Sequence, residues 1–489
     1  MHRLLPLLLC FAALQTTPSA AQTALGDLRG SSDADSPLNA EDTSDQAADA
    51  ADPNPTQANV FSLRSTLNSA AAETGSSGLG TNGRVTPVRP FSDRIAAVGR
   101  AVPLNGSGID DSVFGGDTTF DAADGIRLGS FTFTPQVTVT GGYTDNTARS
   151  SSGSSGSLYR ISPDLSLTSD WSRHQFDVSL RGTYTGYPGN SDDDDASVFA
   201  AANLRLDISE ATRVTTSLAY SYTREEDGSA ESTSSGTDHN QEISGDLSAT
   251  RAVGIVAATA SLGVDRNIYT TDGGSSQSGR DNTLYSASLR LDGNTDSVIS
   301  PFVEGSLLLR RYDQTCSDSL CEKRDANGYQ LRGGVTIASG PKITGELGVG
   351  WRIEDIEDSR LDALTGLVLD GSLVWSPSRL TTVTAGLGTS FSSTDIDGAS
   401  GSIIYSGDLR LAHGFSDRLV AETGLGYSYR TYEGADIEEN TLTGFGGVTF
   451  ALTQNVALTA DYTHRRFDSS QDGSDYTENA IEAGLRFRH

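Results

Sequence analysis

The chain lacks any apolar run of the roughly 20 residues that a membrane-crossing helix needs. Its only continuous hydrophobic segment is Leu4 to Leu14, behind the single positive charge of Arg3. That length fits the core of a secretory signal and falls short of a span. The small-residue site Pro18-Ser19-Ala20-Ala21-Gln22 places cleavage after Ala20 or Ala21, so residues 1–21 read as a signal peptide. Methionine is nearly missing, with one residue, and cysteine is scarce, with three. Cys10 falls within the signal, which leaves Cys316 and Cys321. A close, even pair in an exported chain suggests a disulfide pinning one loop, with two free thiols as the alternative.

Positive charge is also in deficit. The net charge of -29 argues against a nucleic-acid partner or a polybasic membrane-surface role. No phosphate-binding loop, dinucleotide fingerprint or zinc pattern occurs. The mature histidines are His174, His239, His413, His464 and His489; His239 lies near an acidic connection and His464 near an outer rim, and neither of these two has a serine or carboxylate at a telling spacing. The chain is therefore not expected to be an enzyme or to carry a metal or cofactor. The acidic clusters Asp192-Asp193-Asp194-Asp195 and Asp395-Ile396-Asp397-Gly398 lack the full ligand spacing of a calcium loop, and read as solvated loops.

What the chain does have is alternation. Phe131-Thr132-Phe133-Thr134-Pro135-Gln136-Val137-Thr138-Val139-Thr140 puts apolar side chains on one face and polar ones on the other, because successive strand residues point to opposite faces. The pattern recurs to the C-terminus. Phe176, Val178, Leu180 and Tyr184 oppose Asp177, Ser179, Arg181 and Thr183; Leu419, Leu425 and Tyr427 oppose Glu422, Ser428 and Arg430; Val456, Leu458 and Tyr462 oppose Thr459, Asp461 and Arg465. Charges fall on the wet parity each time.

Connection lengths alternate too. Terse turns such as Ser169-Asp170-Trp171-Ser172-Arg173, Ser339-Gly340-Pro341-Lys342 and Ser376-Pro377-Ser378-Arg379 interleave with longer segments such as Glu225–Asp238, Thr271–Arg280 and Gln314–Ala326. Short periplasmic turns with longer external loops are the pattern of an outer-membrane barrel. Aromatics band at the two ends: Tyr143, Tyr184, Tyr220, Tyr222, Tyr269, Tyr312, Tyr427, Tyr429 and Tyr462 beside the long connections, and Trp171, Trp375, Phe415, Phe450 and Phe487 beside the short ones. Such girdles mark membrane interfaces.

The expected fold is all-β: a transmembrane, antiparallel, up-and-down β-barrel over residues 121–489. About 18 strands are expected, with about 16 as the alternative, since single-chain bacterial barrels favour even numbers. A soluble β-rich adhesin is the competing fold, and heat-modifiable migration on a gel separates the two. Residues 22–120 differ, being rich in Ala, Asp and Ser. They offer little to bury and are expected to be disordered in the periplasm until they meet a partner.

Gly125-Ile126-Arg127-Leu128-Gly129-Ser130-Phe131, leading through Pro135 to Gly142-Tyr143-Thr144-Asp145-Asn146, resembles the opening of the β-barrel porin 2 family of outer-membrane proteins. The resemblance spans roughly residues 125–489 and implies an outer-membrane barrel, with no residue-level site to carry over. It also implies a tie to envelope polysaccharide export. The last strand, Ile481 to Phe487, resembles the terminal signal read by barrel-assembly machinery, although Arg488 and His489 follow the aromatic residue.

The functional expectation is a porin-like passive channel for ions or small hydrophilic solutes. Its alternatives are a non-conducting anchoring barrel and a component of polysaccharide export. Candidate lumen-lining residues are Asp177, Arg181, Arg205, Asp207, Arg290, Asp292, Glu304, Arg310, Asp408, Arg410, Glu422, Asp461 and Glu482. Mixed inward charge either tunes selectivity or pairs to stiffen the wall. The expected partners are outer-membrane lipid and lipopolysaccharide and the assembly machinery.

Overall fold

The computed structural model describes residues 125–489 apart from 210, 226–227, 233–237, 272–278, 294–297, 316–320, 340–342, 379 and 417. The expected signal peptide, the 22–120 extension and Cys316 lie outside the described residues.

A short strand, β1 (Ile126–Leu128), precedes the barrel strands β2 (Phe131–Thr144), β3 (Gly156–Ser169), β4 (Gln175–Gly186), β5 (Asp195–Ser209), β6 (Thr212–Arg224), β7 (Asp238–Val253), β8 (Val256–Thr271), β9 (Asn282–Gly293) and β10 (Ile299–Tyr312). The circuit continues through β11 (Ala326–Ser339), β12 (Ile343–Ile356), β13 (Leu364–Ser378), β14 (Thr381–Ser392), β15 (Gly401–Ser416), β16 (Leu419–Glu433), β17 (Glu438–Ala451), β18 (Val456–Ser469) and β19 (Tyr476–Arg488). Each strand pairs antiparallel with its sequence neighbours. β19 returns to β2, from Ala480 opposite Thr144 to Arg488 opposite Gln136. The ring is thus a closed barrel of 18 strands. Closure leaves no unpaired edge, and in lipid every backbone polar group must find a partner within the protein.

The parity of the sequence becomes the two faces of the wall. Leu289 and Leu291 are 56% and 42% exposed, whereas Arg290 between them is 2% exposed. Val303, Leu307 and Leu309 likewise face outward while Glu304 and Arg310 are buried inside. An apolar exterior around a charged interior is the reverse of a soluble protein, and it fits lipid as the outer solvent. The interior is not uniformly polar, however. Leu364, Val368, Phe391 and Ile403 form a buried cluster with Tyr405 against the β13–β15 wall.

Two connections depart from the expected pattern. β7 and β8 are joined through Gly254 and Ile255, a turn that carries no run of typical turn residues; Gly254 has φ +58°. Only glycine adopts that conformation without strain. At the other end, residues 434–437 join β16 to β17 where a long loop was expected, with Gly434 at φ +90°.

The aromatic band is also redrawn. Tyr143, Tyr184, Tyr427 and Tyr462 are exposed as expected, joined by Tyr159, Tyr285, Tyr329 and Trp351. Tyr269 is instead buried against a guanidinium in the interior, and Tyr312 shares the inward parity of Arg310. Trp171, Trp375, Phe415, Phe450 and Phe487 are exposed near the short turns.

Candidate functional site

Hydrogen-bonding register carries small hydroxyl side chains around one wall of the lumen. Thr215 on β6 lies opposite Ser248, which lies opposite Ser261 on β8, Ser288 on β9 and Ser306 on β10 in turn. Neighbouring strands lie about 4.8 Å apart, so these residues form a continuous row. They line a cavity of about 480 Å³ inside the barrel. Each has an outward neighbour that is apolar, such as Leu247, Leu262 and Leu307.

Beyond this wall the lumen is charged, and its charges are paired. Arg290 donates two 2.8 Å hydrogen bonds to Glu346 and meets Asp292 at 2.6 Å, with its guanidinium 3.7 Å above the Phe302 ring. Arg332 contacts Glu304 at 3.2 Å and Asp370 at 2.9 Å. Arg310 holds Glu354 at 3.0 Å, and Arg352 closes on the same carboxylate from the other side. Such pairs offset the several kcal/mol it costs to desolvate each ion.

The other sequence-expected residues also face inward. Asp207 bridges Arg205 at 3.2 Å and Arg213 at 2.9 Å. Arg181 pairs with Asp164 at 3.6 Å but stays largely exposed, and Asp177 accepts a 2.7 Å bond from Gln175. Glu482 accepts a 2.6 Å bond from Thr140, contacts Arg160 at 3.3 Å, and lies opposite Asp461 in register. Asp408 lies opposite Gly386, whose missing side chain leaves room for the carboxylate. Arg410 sits between outward Leu409 and Leu411, and Glu422 is buried. These residues ring the lumen and do not converge on one point.

The convergence occurs at the long-loop end, where the sequence had flagged only Arg430's inward parity. Within the β6–β7 connection, residues 228–231 lie across the lumen from their own strands. In the strand order they meet β16 and β17, nine strand steps from β7 to β16 and seven from β6 to β17 by the other way round. There the Ala230 amide donates to Glu439 Oε1 at 2.6 Å and Ser229 Oγ donates to the same oxygen at 3.1 Å. Gly228 packs on Phe467 and the Ser474 carbonyl, where any side chain would collide. Glu231, with a side chain 0% exposed, lies 3.2 Å from Arg280 and 3.5 Å from Arg430. Arg280 also makes a two-pronged contact with Glu225 at 2.8 and 2.9 Å.

The carboxylates on either side keep the Arg280 guanidinium charged, raising its pKa against the desolvation that opposes it. Burial pushes the Glu231 carboxyl up, while Arg280 and Arg430 pull it down. A second loop reinforces this crossing: Ser393 donates to the Tyr269 hydroxyl at 3.1 Å, and Arg324 donates to the Thr394 and Ile396 carbonyls at 2.9 and 2.7 Å. Strand parity could have found Arg332 and Arg352. No local pattern marks Glu231, because its partners are distant in the chain.

The remaining candidates resolve structurally. Asp195 pairs with Arg149 at 3.0 Å, and Asp194 accepts from Tyr184 and the Tyr187 amide. The acidic run thus holds its loop, and among the described residues no group of metal-ligating side chains assembles. Cys321 is disulfide-bonded. Phe487 is exposed on the apolar face between buried Arg486 and Arg488.

A closed strand ring with an apolar exterior and a charged, loop-crossed lumen defines an outer-membrane β-barrel. The chain belongs to the family described as "Putative beta-barrel porin 2", whose model matches residues 119–489. Solved structures it resembles include the outer membrane protein opdK from Pseudomonas aeruginosa, at 12% identity, 73% coverage of this chain and 99% of that one, and a TM-score of 0.37. They also include the copper transporter OprC, at 10% identity, 75% and 81% coverage and a TM-score of 0.40. The siderophore receptor PirA from Pseudomonas aeruginosa matches at 10% identity, 73% and 80% coverage and a TM-score of 0.33. No curated protein matches the chain.

Proposed function

We propose that this barrel is a passive, porin-like channel for small hydrophilic solutes. The observation that carries the reading is the hydroxyl row from Thr215 to Ser306 facing an internal cavity. Hydroxyls exchange hydrogen bonds with water and solute at little cost, which suits permeation better than tight binding. Inward charges are largely neutralised by one another, so they act as paired walls more than as a single-sign filter. Lipid and lipopolysaccharide contact the exposed apolar band, and the N-terminal extension sits on the periplasmic side.

The loop crossing at Glu231 favours a second reading, a non-conducting barrel that anchors a partner. Liposome swelling separates the two. Reconstituted protein should admit sugars up to a size limit; liposomes that do not swell, with or without residues 22–120, would support the anchor.

A further inference from the structure

The structure points to a carboxylate-binding socket at Arg280 and Arg430. We propose that it takes a monocarboxylate solute, and that the Glu231 of the crossing loop occupies it when the loop is seated. This inference deepens the channel reading by naming a solute class.

The socket is built from two sides. Arg280 lies in the β8–β9 connection, and Arg430 lies on β16 across the lumen. Each guanidinium is backed by a tyrosine ring: Arg280 lies 3.9 Å over Tyr269 and Arg430 lies 4.8 Å over Tyr432. Stacking of that kind holds a guanidinium in place. Glu225 grips Arg280 from its own side, and the Arg430 Nε donates to Ser402 at 2.9 Å. The forks therefore keep their positions without Glu231.

Charge sets the class of ligand. Two guanidiniums face Glu225 and Glu439, which remain when Glu231 withdraws. The vacated socket then carries no net charge, and the guanidinium edges that hold Glu231 take one carboxylate by their hydrogen bonds. A phosphate dianion would overload it. Glu231 is a tethered competitor, and a tether of this kind gives an effective concentration of about millimolar order. Free solute therefore competes in the same range, weakly enough to leave again.

The test uses full-length barrel carrying Glu231→Ala, with folding checked by heat-modifiable migration. Deleting residues 229–231 removes the same carboxylate by a second route. Calorimetric titration with glucuronate should show millimolar binding to both variants, about twofold tighter than to the unmodified protein. Adding Arg430→Gln should abolish it, and glucose should not bind. Equal binding to variant and unmodified protein, or binding indifferent to Arg430→Gln, overturns the socket. Bilayer currents keep the two readings apart. Glucuronate binding without conduction removes the channel and leaves the socket; conduction without glucuronate binding does the reverse.

Discussion

Arg290 on β9 and Glu346 on β12 are joined by two 2.8 Å hydrogen bonds that reach over the two intervening strands. The Arg290 side chain is 2% exposed, so the pair is buried although it lines a lumen. Lateral bridges of this kind tie non-neighbouring strands together, which backbone pairing alone does not do. Removing one partner of a buried pair costs about 3–5 kcal/mol because the other charge is left desolvated. Asp292 still contacts Arg290 at 2.6 Å, which places Glu346→Gln at the low end, about 3 kcal/mol. Urea unfolding of the refolded barrel measures it; a loss under about 1 kcal/mol, typical of an exposed pair, contradicts the bridge.

Ser306 and Leu307 are adjacent and meet different solvents. Leu307 is 67% exposed on the outer face, while Ser306 lines the cavity. Arginine on the lipid face costs about 2–4 kcal/mol near the bilayer midplane. Leu307→Arg should therefore destabilise the barrel in liposomes by that amount, and Ser306→Arg by much less. Equal costs would mean that the outer face does not meet lipid.

Much of this architecture was legible in the sequence because a strand's faces are a local, period-two property. Arg290 between Leu289 and Leu291 announces its own direction, and so do Asp207, Glu304, Arg310 and Glu482. The strand number followed from the turns, even though the Gly254–Ile255 turn lacked the usual residues. Tyr269 and Tyr312 misled because a tyrosine near a loop fits either an interface or an arginine stack. The Glu231 crossing was not legible at all. Its contacts to Arg430 and Glu439 span about 200 residues of chain, and a loop's destination is set by the whole ring.

Glu231 should also make the crossing pH-dependent. Burial raises its carboxyl pKa in the seated loop, so that state holds a proton more tightly than a loop in water. The protonation-linked stabilisation of the seated loop is fully present below the ordinary glutamate range and is lost as pH rises through the raised value. Conductance should thus increase with pH, and Glu231→Gln should flatten that dependence. A profile that falls with pH, or one unchanged by the substitution, rules this out.

Phe487 tests the reading of the last strand. It points into the apolar band and contributes no lumenal contact, so its loss should spare the folded barrel. Phe487→Ala should nonetheless reduce outer-membrane assembly in cells, seen as less heat-modifiable protein in the membrane fraction. Unchanged assembly would remove its role as a signal.

If solutes pass through the hydroxyl-lined lumen, their path is narrowed by the loop that seats Glu231. Single-channel recording in planar bilayers tests it most directly, comparing the unmodified protein with the 229–231 deletion. Both should give discrete, stable steps, larger for the deletion. Silence from both, with folded barrel confirmed in the same preparation, would contradict it.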